Sequence, residues 1–198
     1  MFEYENKYKD LGLVAGIDEA GRGPLAGPVV CACVIMPLDE ENIIEGINDS
    51  KKLSAKKRDI LFDQIVEKAT DYAVVEVDEA TIDQINILNA TKLGMKKALE
   101  SLSKTPTTVL IDAVKIDTNI NQDNIIKGDA KSYNIACASI LAKVYRDRLM
   151  LKLAELYPEY HFEKHKGYGT KEHIEALKKF GKCKIHRNSF IGNFIKND

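Results

Sequence analysis

The chain lacks the features that would place it outside ordinary globular proteins. Met1 to Asp10 is polar and charged, with no apolar leader segment, so no signal peptide is expected. The longest apolar run, Val29 to Met36, is far too short to cross a bilayer. A cytoplasmic protein without membrane contact is the expectation. The four cysteines, Cys31, Cys33, Cys137 and Cys183, include no Cys-x-x-Cys pair. They are read as reduced, mostly buried thiols, not as a disulfide framework or zinc centre. There is no internal repeat, no low-complexity linker, and no P-loop or Rossmann fingerprint. Charge of one sign is not in surplus either: the net charge is -1 over 198 residues, so bulk charge does not announce a nucleic-acid partner.

What is present is a hydrophobic share of 44% and a charged share of 30%. At this length that supports one α/β domain with a sizeable core over residues 1–198, and a small helical region from about residue 150. Leu13 to Ile17 reads as a buried strand and Pro28 to Ile35 as a second, β-branched one, with a glycine-rich connection between them. Helical spacing follows over Ser54–Thr70 and Thr81–Ser103, with strands at Tyr72–Val77, Thr107–Ile111 and Asn124–Lys127. Ser132 to Leu156 reads as a long helix rich in small residues, ended by Pro158, and Lys171 to Phe180 as an amphipathic one stopped by Gly181.

Carboxylates stand where strands end. Asp18 and Glu19 follow the first apolar strand, Asp112 closes another, and Asp129 follows a Lys-Gly pair. Strand ends meeting at one rim can bring such groups together. They repel one another unless a cation is present. An all-oxygen donor set selects a hard ion such as Mg²⁺ or Mn²⁺. Two such ions about 3.5–4 Å apart can clamp a phosphodiester. A pair of solvated strand-end acids is the alternative from spacing alone.

Gly21-Arg22-Gly23 allows close backbone approach to a ligand, and Arg22 can grip a phosphate; an ordinary hairpin turn fits the same residues. From Lys164 to Arg187 the basic residues far outnumber Glu172 and Glu175. That makes a candidate nucleic-acid surface or a solvated helix face. Lys143, Arg146 and Asp147 are spaced for a salt-bridge network on one helix.

Taken in order, these blocks resemble the ribonuclease HII family. Gly16 to Val30 resembles its opening signature. Asn48 to Ser54, Ile87 to Thr91, Leu110 to Asp112, Lys127 to Asp129, Ala138 to Asp147, His165 to Thr170 and Arg187 to Phe190 follow in family order. The resemblance implies a ribonuclease H-like fold: a mixed central sheet flanked by helices, with a helical C-terminal end. It implies an endonuclease that hydrolyses the RNA strand of RNA–DNA hybrids. Cleavage would extend to the 5′ side of single ribonucleotides in duplex DNA, leaving 3′-hydroxyl and 5′-phosphate ends. Asp18, Glu19, Asp112 and Asp129 would be the catalytic metal ligands for two Mn²⁺ or Mg²⁺ ions. The Gly21, Arg22 and Gly23 backbone would read the 2′-hydroxyl. Tyr168 would stack on the following sugar. Asn48, Ser50, Lys51, Lys52 and His165 would contact the substrate backbone, with orientation of its own loop as the other role open to His165.

Ala113 stands where many relatives have glycine. The short stretch before Asp18, together with Arg22 and Asp129, favours this family over its sister, ribonuclease HIII. A monomer is expected. Phe190, Ile191, Phe194 and Ile195 could dock a replication clamp, but packing against the core is the preferred reading. A non-catalytic hybrid-binding module and a nuclease for another substrate, such as DNA junctions, are the competing functions.

Overall fold

The computed structural model describes residues 1–48 and 50–195. Its centre is a five-stranded mixed sheet in the order β3-β2-β1-β4-β5. Strands β1 (Val14–Ala20), β2 (Val29–Ile35) and β3 (Asp71–Val77) form an antiparallel meander. Strands β4 (Thr108–Asp112) and β5 (Asn121–Ile125) continue the sheet in parallel from β1. The expected class, a mixed sheet flanked by helices with a helical C-terminal end, is the one observed.

Helices cover both faces because the central strands β1 and β2 are buried on both. Side chains alternate along a strand, so Ala20, Val30, Ala32 and Val34 meet α2 (Ala55–Lys68) and α4 (Tyr133–Leu156) on one face. Ala15, Ile17, Cys31, Cys33 and Ile35 meet α3 (Glu79–Glu100) on the other. Three cysteines are buried in these layers and Cys183 is partly covered. Ser54, Asp78 and Ser132 cap α2, α3 and α4 by accepting from the third backbone N–H beyond each cap.

Helix α4 packs directly on the backbone of β1. A Cβ on Gly16 would lie 2.2 Å from the Asn134 carbonyl carbon. Asn134 is buried there, donating to Val14 O and accepting from Met36 N. A short helix, α1 (Glu3–Tyr8), closes the same end. Its buried Glu5 accepts from Ser132 Oγ and Asn134 N. Beyond α4, the short α5 (Phe162–His165), α6 (Lys171–Phe180) and α7 (Asn188–Ile191) pack over the β1–β2 connection.

Three differences from the sequence reading matter. Asp18 and Glu19 lie within β1, opposite Ala32 and Cys31, not after it. α3 is broken at Asn86, whose φ of 64° is non-helical and whose side chain caps the second half through Asn89 N. β5 starts at Asn121 and ends at Ile125, earlier than expected, because its pairing with β4 holds a polar segment that hydrophobic pattern cannot mark. The C-terminal apolar residues pack inward as preferred. Ile191 is buried against Leu25 and Leu177, with Phe190, Phe194 and Ile195 partly covered beside it.

Gly16→Ala should cost at least about 2 kcal/mol, since the new methyl meets helix backbone that cannot rotate away. Urea unfolding of wild type and variant checks this; an unchanged midpoint would mean that α4 does not sit on β1 as closely as described.

Candidate active site

Four acids approach the rim where β1 and β4 end. Alternation puts Asp18 on the α4 face, in step with Ala20, and Glu19 on the opposite face, in step with Ile17. Asp112 ends β4 in step with Leu110, which packs against Ile135 of α4. Its Oδ1 accepts from Gly128 N at 3.0 Å, tying the strand end to the turn that carries Asp129. Lys127 opens this turn in the left-handed region. Asp18 and Asp129 are buried.

Burying like charges has a visible electrostatic consequence. Desolvation, then the charges of Glu19 and Asp112, push the Asp18 carboxyl well above its usual range, against the pull of hydrogen bonds from Glu19 N and Ser139. Glu19 is also raised by burial, with Arg22 opposing. Nearby cations are supplied by exposed side chains: Arg22 lies 3.5 Å from Glu19, and Lys51 4.0 Å from Asp129. Among the described residues no three acidic, histidine or cysteine side chains are already gathered as a closed metal cage. The donor chemistry nevertheless fits a hard divalent ion: all four candidate ligands are carboxylates, and burial, then its charged neighbours, disfavours the ionised form of Asp18.

The cleft beside these acids, of about 230 Å³, is lined by Asp18, Glu19 and the Gly21–Gly23 loop, together with Ser50, Lys51, Ser139, Lys143, Arg146 and Tyr168. Thus Ser50 and Lys51 are brought to the acids, with Ser50 Oγ 2.8 Å from Ser139 Oγ. Exposed Asn48 and Lys52 do not line the cleft. His165 is buried, its ring nitrogens facing Tyr160 O and Gly167 N, so it orients its own loop.

Two arginines shape the loop. Arg187 was grouped with the basic C-terminal face, but it is fully buried. Its Nε–H donates to Gly27 O, Nη1 to Arg22 O, and Nη2 to both Gly21 O and Gly27 O. Peptide groups are trans here, so N–H and C=O of one peptide point in opposite directions. With the Gly21 and Arg22 carbonyls turned inward to Arg187, the N–H groups of Arg22 and Gly23 point away from it. The lining role of these residues puts that outward side at the cleft. Arg146, expected in a helix salt-bridge network, instead donates to Pro28 O, Ala26 O and Lys166 O. Asp147 pairs with Lys143. Gly21, with φ of 93°, leaves the space Arg146 needs: a Cβ there would be 2.0 Å from Nε. Burial, then the charge of Arg146, brings Arg187 down to about 9. It remains a cation at neutral pH.

Residues 15–193 match the family model described as Ribonuclease HII. Ribonuclease HII of Caldicellulosiruptor saccharolyticus is 56% identical over 98% of this chain and 96% of its own length. The structure of ribonuclease H2 from Pyrococcus horikoshii OT3 superposes with a TM-score of 0.77 at 30% identity, covering 93% of this chain and all of that one. A complex of PCNA and RNase HII from Archaeoglobus fulgidus gives 0.78 at 25% identity, covering 93% of this chain and 98% of that chain. No helix among the described residues is long and apolar enough to cross a membrane.

Arg187→Lys keeps the charge and loses the fork that reaches three carbonyls. It should cost about 2–4 kcal/mol, the scale of losing charge-assisted bonds to buried acceptors. The Leu25 and Gly27 amides, which bond to Gly167 O and Ile185 O, should exchange faster than those of β1. Hydrogen exchange unchanged at both sites would contradict this role.

Proposed function

The chain belongs to the ribonuclease HII family, and from that premise we propose that it cuts RNA–DNA hybrids and the 5′ side of single ribonucleotides embedded in duplex DNA. Family membership makes it an endoribonuclease acting on the RNA strand of hybrids. The finer reading is supported above all by one observation: Asp18 and Glu19, the Gly21–Gly23 loop and Tyr168 line a single cleft.

Ribonucleases H use divalent metal ions. Asp18, Glu19, Asp112 and Asp129 are the groups that would hold Mn²⁺ or Mg²⁺. Two ions bound there would activate the attacking water and offset charge on the leaving oxygen. The chain's own groups do the rest. Ser139 and the Glu19 N–H fix Asp18. The N–H groups of Arg22 and Gly23 would meet a 2′-hydroxyl, which DNA lacks. Arg22 and Lys51, beside Glu19 and Asp129, would meet an incoming phosphate, with Lys143 at the cleft wall. Asn48, Ser50 and Lys52 would fix the flanking strand. Tyr168, exposed and facing Gly23, offers a ring for the sugar after the ribonucleotide. The hydrolysis leaves a 3′-hydroxyl and a 5′-phosphate. Residues 1–198 act as one catalytic domain, a monomer in the cytoplasm. The Archaeoglobus protein assembles with PCNA, but here the C-terminal apolar residues pack inward, which favours action without a clamp.

A labelled DNA duplex with one ribonucleotide, beside an all-DNA duplex and a long hybrid, tests this. Mn²⁺- or Mg²⁺-dependent cutting 5′ to the ribonucleotide is expected, with the all-DNA duplex untouched and activity abolished by EDTA. Asp112→Asn should lower the rate at least about 100-fold, as removal of one electrostatic partner of the transition state does. Near-normal cutting by that variant would overturn the site assignment. Binding without cutting by folded wild type would favour a hybrid-binding module, and cutting of all-DNA junctions another nuclease class.

A further inference from the structure

Behind Tyr168 lies a set of imidazoles that the cleavage chemistry does not use. His165, His173 and His186 are all buried, from three different short segments. His165 and His173 stack with centroids 4.6 Å apart, and Phe162 meets all three rings. Among the described residues no carboxylate is a hydrogen-bond partner of these rings, so no such contact there compensates a positive charge.

The partners fix where each proton sits. Cys183 N–H donates to His186 Nδ1 at 2.9 Å, so that nitrogen must accept. A neutral His186 then carries its proton on Nε2, which faces His173 Nε2 at 3.1 Å. Two N–H groups cannot face each other, so His173 Nε2 accepts and its proton sits on Nδ1. That N–H donates to Tyr168 O at 2.9 Å. The chain therefore runs in one direction, from the Cys183 backbone through two neutral rings to the carbonyl of Tyr168. Gly167 N–H likewise donates to His165 Nδ1, leaving Nε2–H for Tyr160 O. Burial lowers the affinity of all three rings for a second proton, which agrees with this neutral arrangement.

The chain ends on the residue that matters. Tyr168 O also accepts from Thr170 N, so both lone-pair directions of this carbonyl are fixed. Its ring stands at the cleft, 6.0 Å from the Arg146 guanidinium. The peptide is thus anchored from below and the ring presented above. A ring that stacks on one sugar must be held to a fraction of an ångström to tell deoxyribose from ribose.

We propose that His173 and His186 are positioning residues, which act through Tyr168 to set the preference for a single ribonucleotide over continuous RNA. The proposal rests on the cleavage reading above. It assigns to these rings a role in substrate choice, not in the cleavage step itself.

Two measurements test it. Long-range ¹H–¹⁵N spectra of the wild type at pH 7 should show His173 protonated at Nδ1 alone, and His165 and His186 at Nε2 alone. An imidazolium at His173 or His186, or the opposite tautomer, would overturn the chain whether or not any variant folds. Cleavage is then compared on the single-ribonucleotide duplex and the long hybrid. His173→Phe keeps the ring volume without a donor, and should lower kcat/KM on the former at least tenfold and on the latter less than threefold. His173→Asn places an amide N–H near the Nδ1 position and should recover most of the loss. Equal losses on both substrates, or none, would leave the rings a packing role and defeat the proposal. If His173→Phe does not fold, His186→Phe, which removes the ring that donates to His173 Nε2, is read by the same criteria. Wild type that cuts neither substrate would instead count against the cleavage reading, and the proposal would fall with it.

Discussion

The burial of Asp18 is the constraint around which the site is arranged. A carboxyl inside a sheet, next to Glu19 in sequence and within electrostatic reach of Asp112, is held in an environment that disfavours its ionised form. The fold tolerates this because the backbone around it is over-determined. β1 is paired on both edges, by β2 and β4. α4 lies against Gly16 and presents Ser139 to Asp18. Stability obtained elsewhere in the core offsets an unfavourable charge cluster, an arrangement that fits a site completed by cations.

A second constraint sits beside it. The segment from Gly21 to Pro28 has little regular structure, yet it is held as firmly as a strand by two buried guanidiniums whose bonds end on carbonyl oxygens. Arg146 also reaches Lys166 O, and Leu25 N bonds to Gly167 O. The loop that faces the acids and the loop that carries Tyr168 therefore share one support. The histidine layer props the second of these from the other side. Rigid support of this kind lets recognition loops keep their geometry without being strands or helices.

Much of this was legible in the sequence because it rests on local signals. The long helices followed from apolar spacing, and Asp112 stood at the end of an apolar run. What escaped depended on distant partners. Asp18 and Glu19 read as lying past the strand because charge interrupts apolar pattern, whereas pairing with β2 extends the strand through them. Arg187 read as one more cation in a basic stretch. Its acceptors lie some 160 residues away in sequence, and no local pattern reports them. His173 read as one residue of an amphipathic helix, with nothing nearby to show that its ring would meet His186. The break at Asn86 left a faint signal, an asparagine inside a helix, which favours caps and left-handed backbone.

The central claim is that the Asp18 carboxyl, disfavoured by burial and then by the charges of Glu19 and Asp112, belongs to a site completed by divalent cations. Thermal unfolding of wild type, Asp18→Asn and Asp112→Asn, each with and without Mn²⁺ at neutral pH, tests it most directly. Without metal, Asp18→Asn should melt higher than wild type, because an uncharged amide replaces the buried acid. With Mn²⁺, wild type should gain several degrees, since an ion bound only by the folded state stabilises it, and both variants should lose most of that gain. An equal Mn²⁺ shift in all three proteins, with no stabilisation from Asp18→Asn in its absence, would contradict the account.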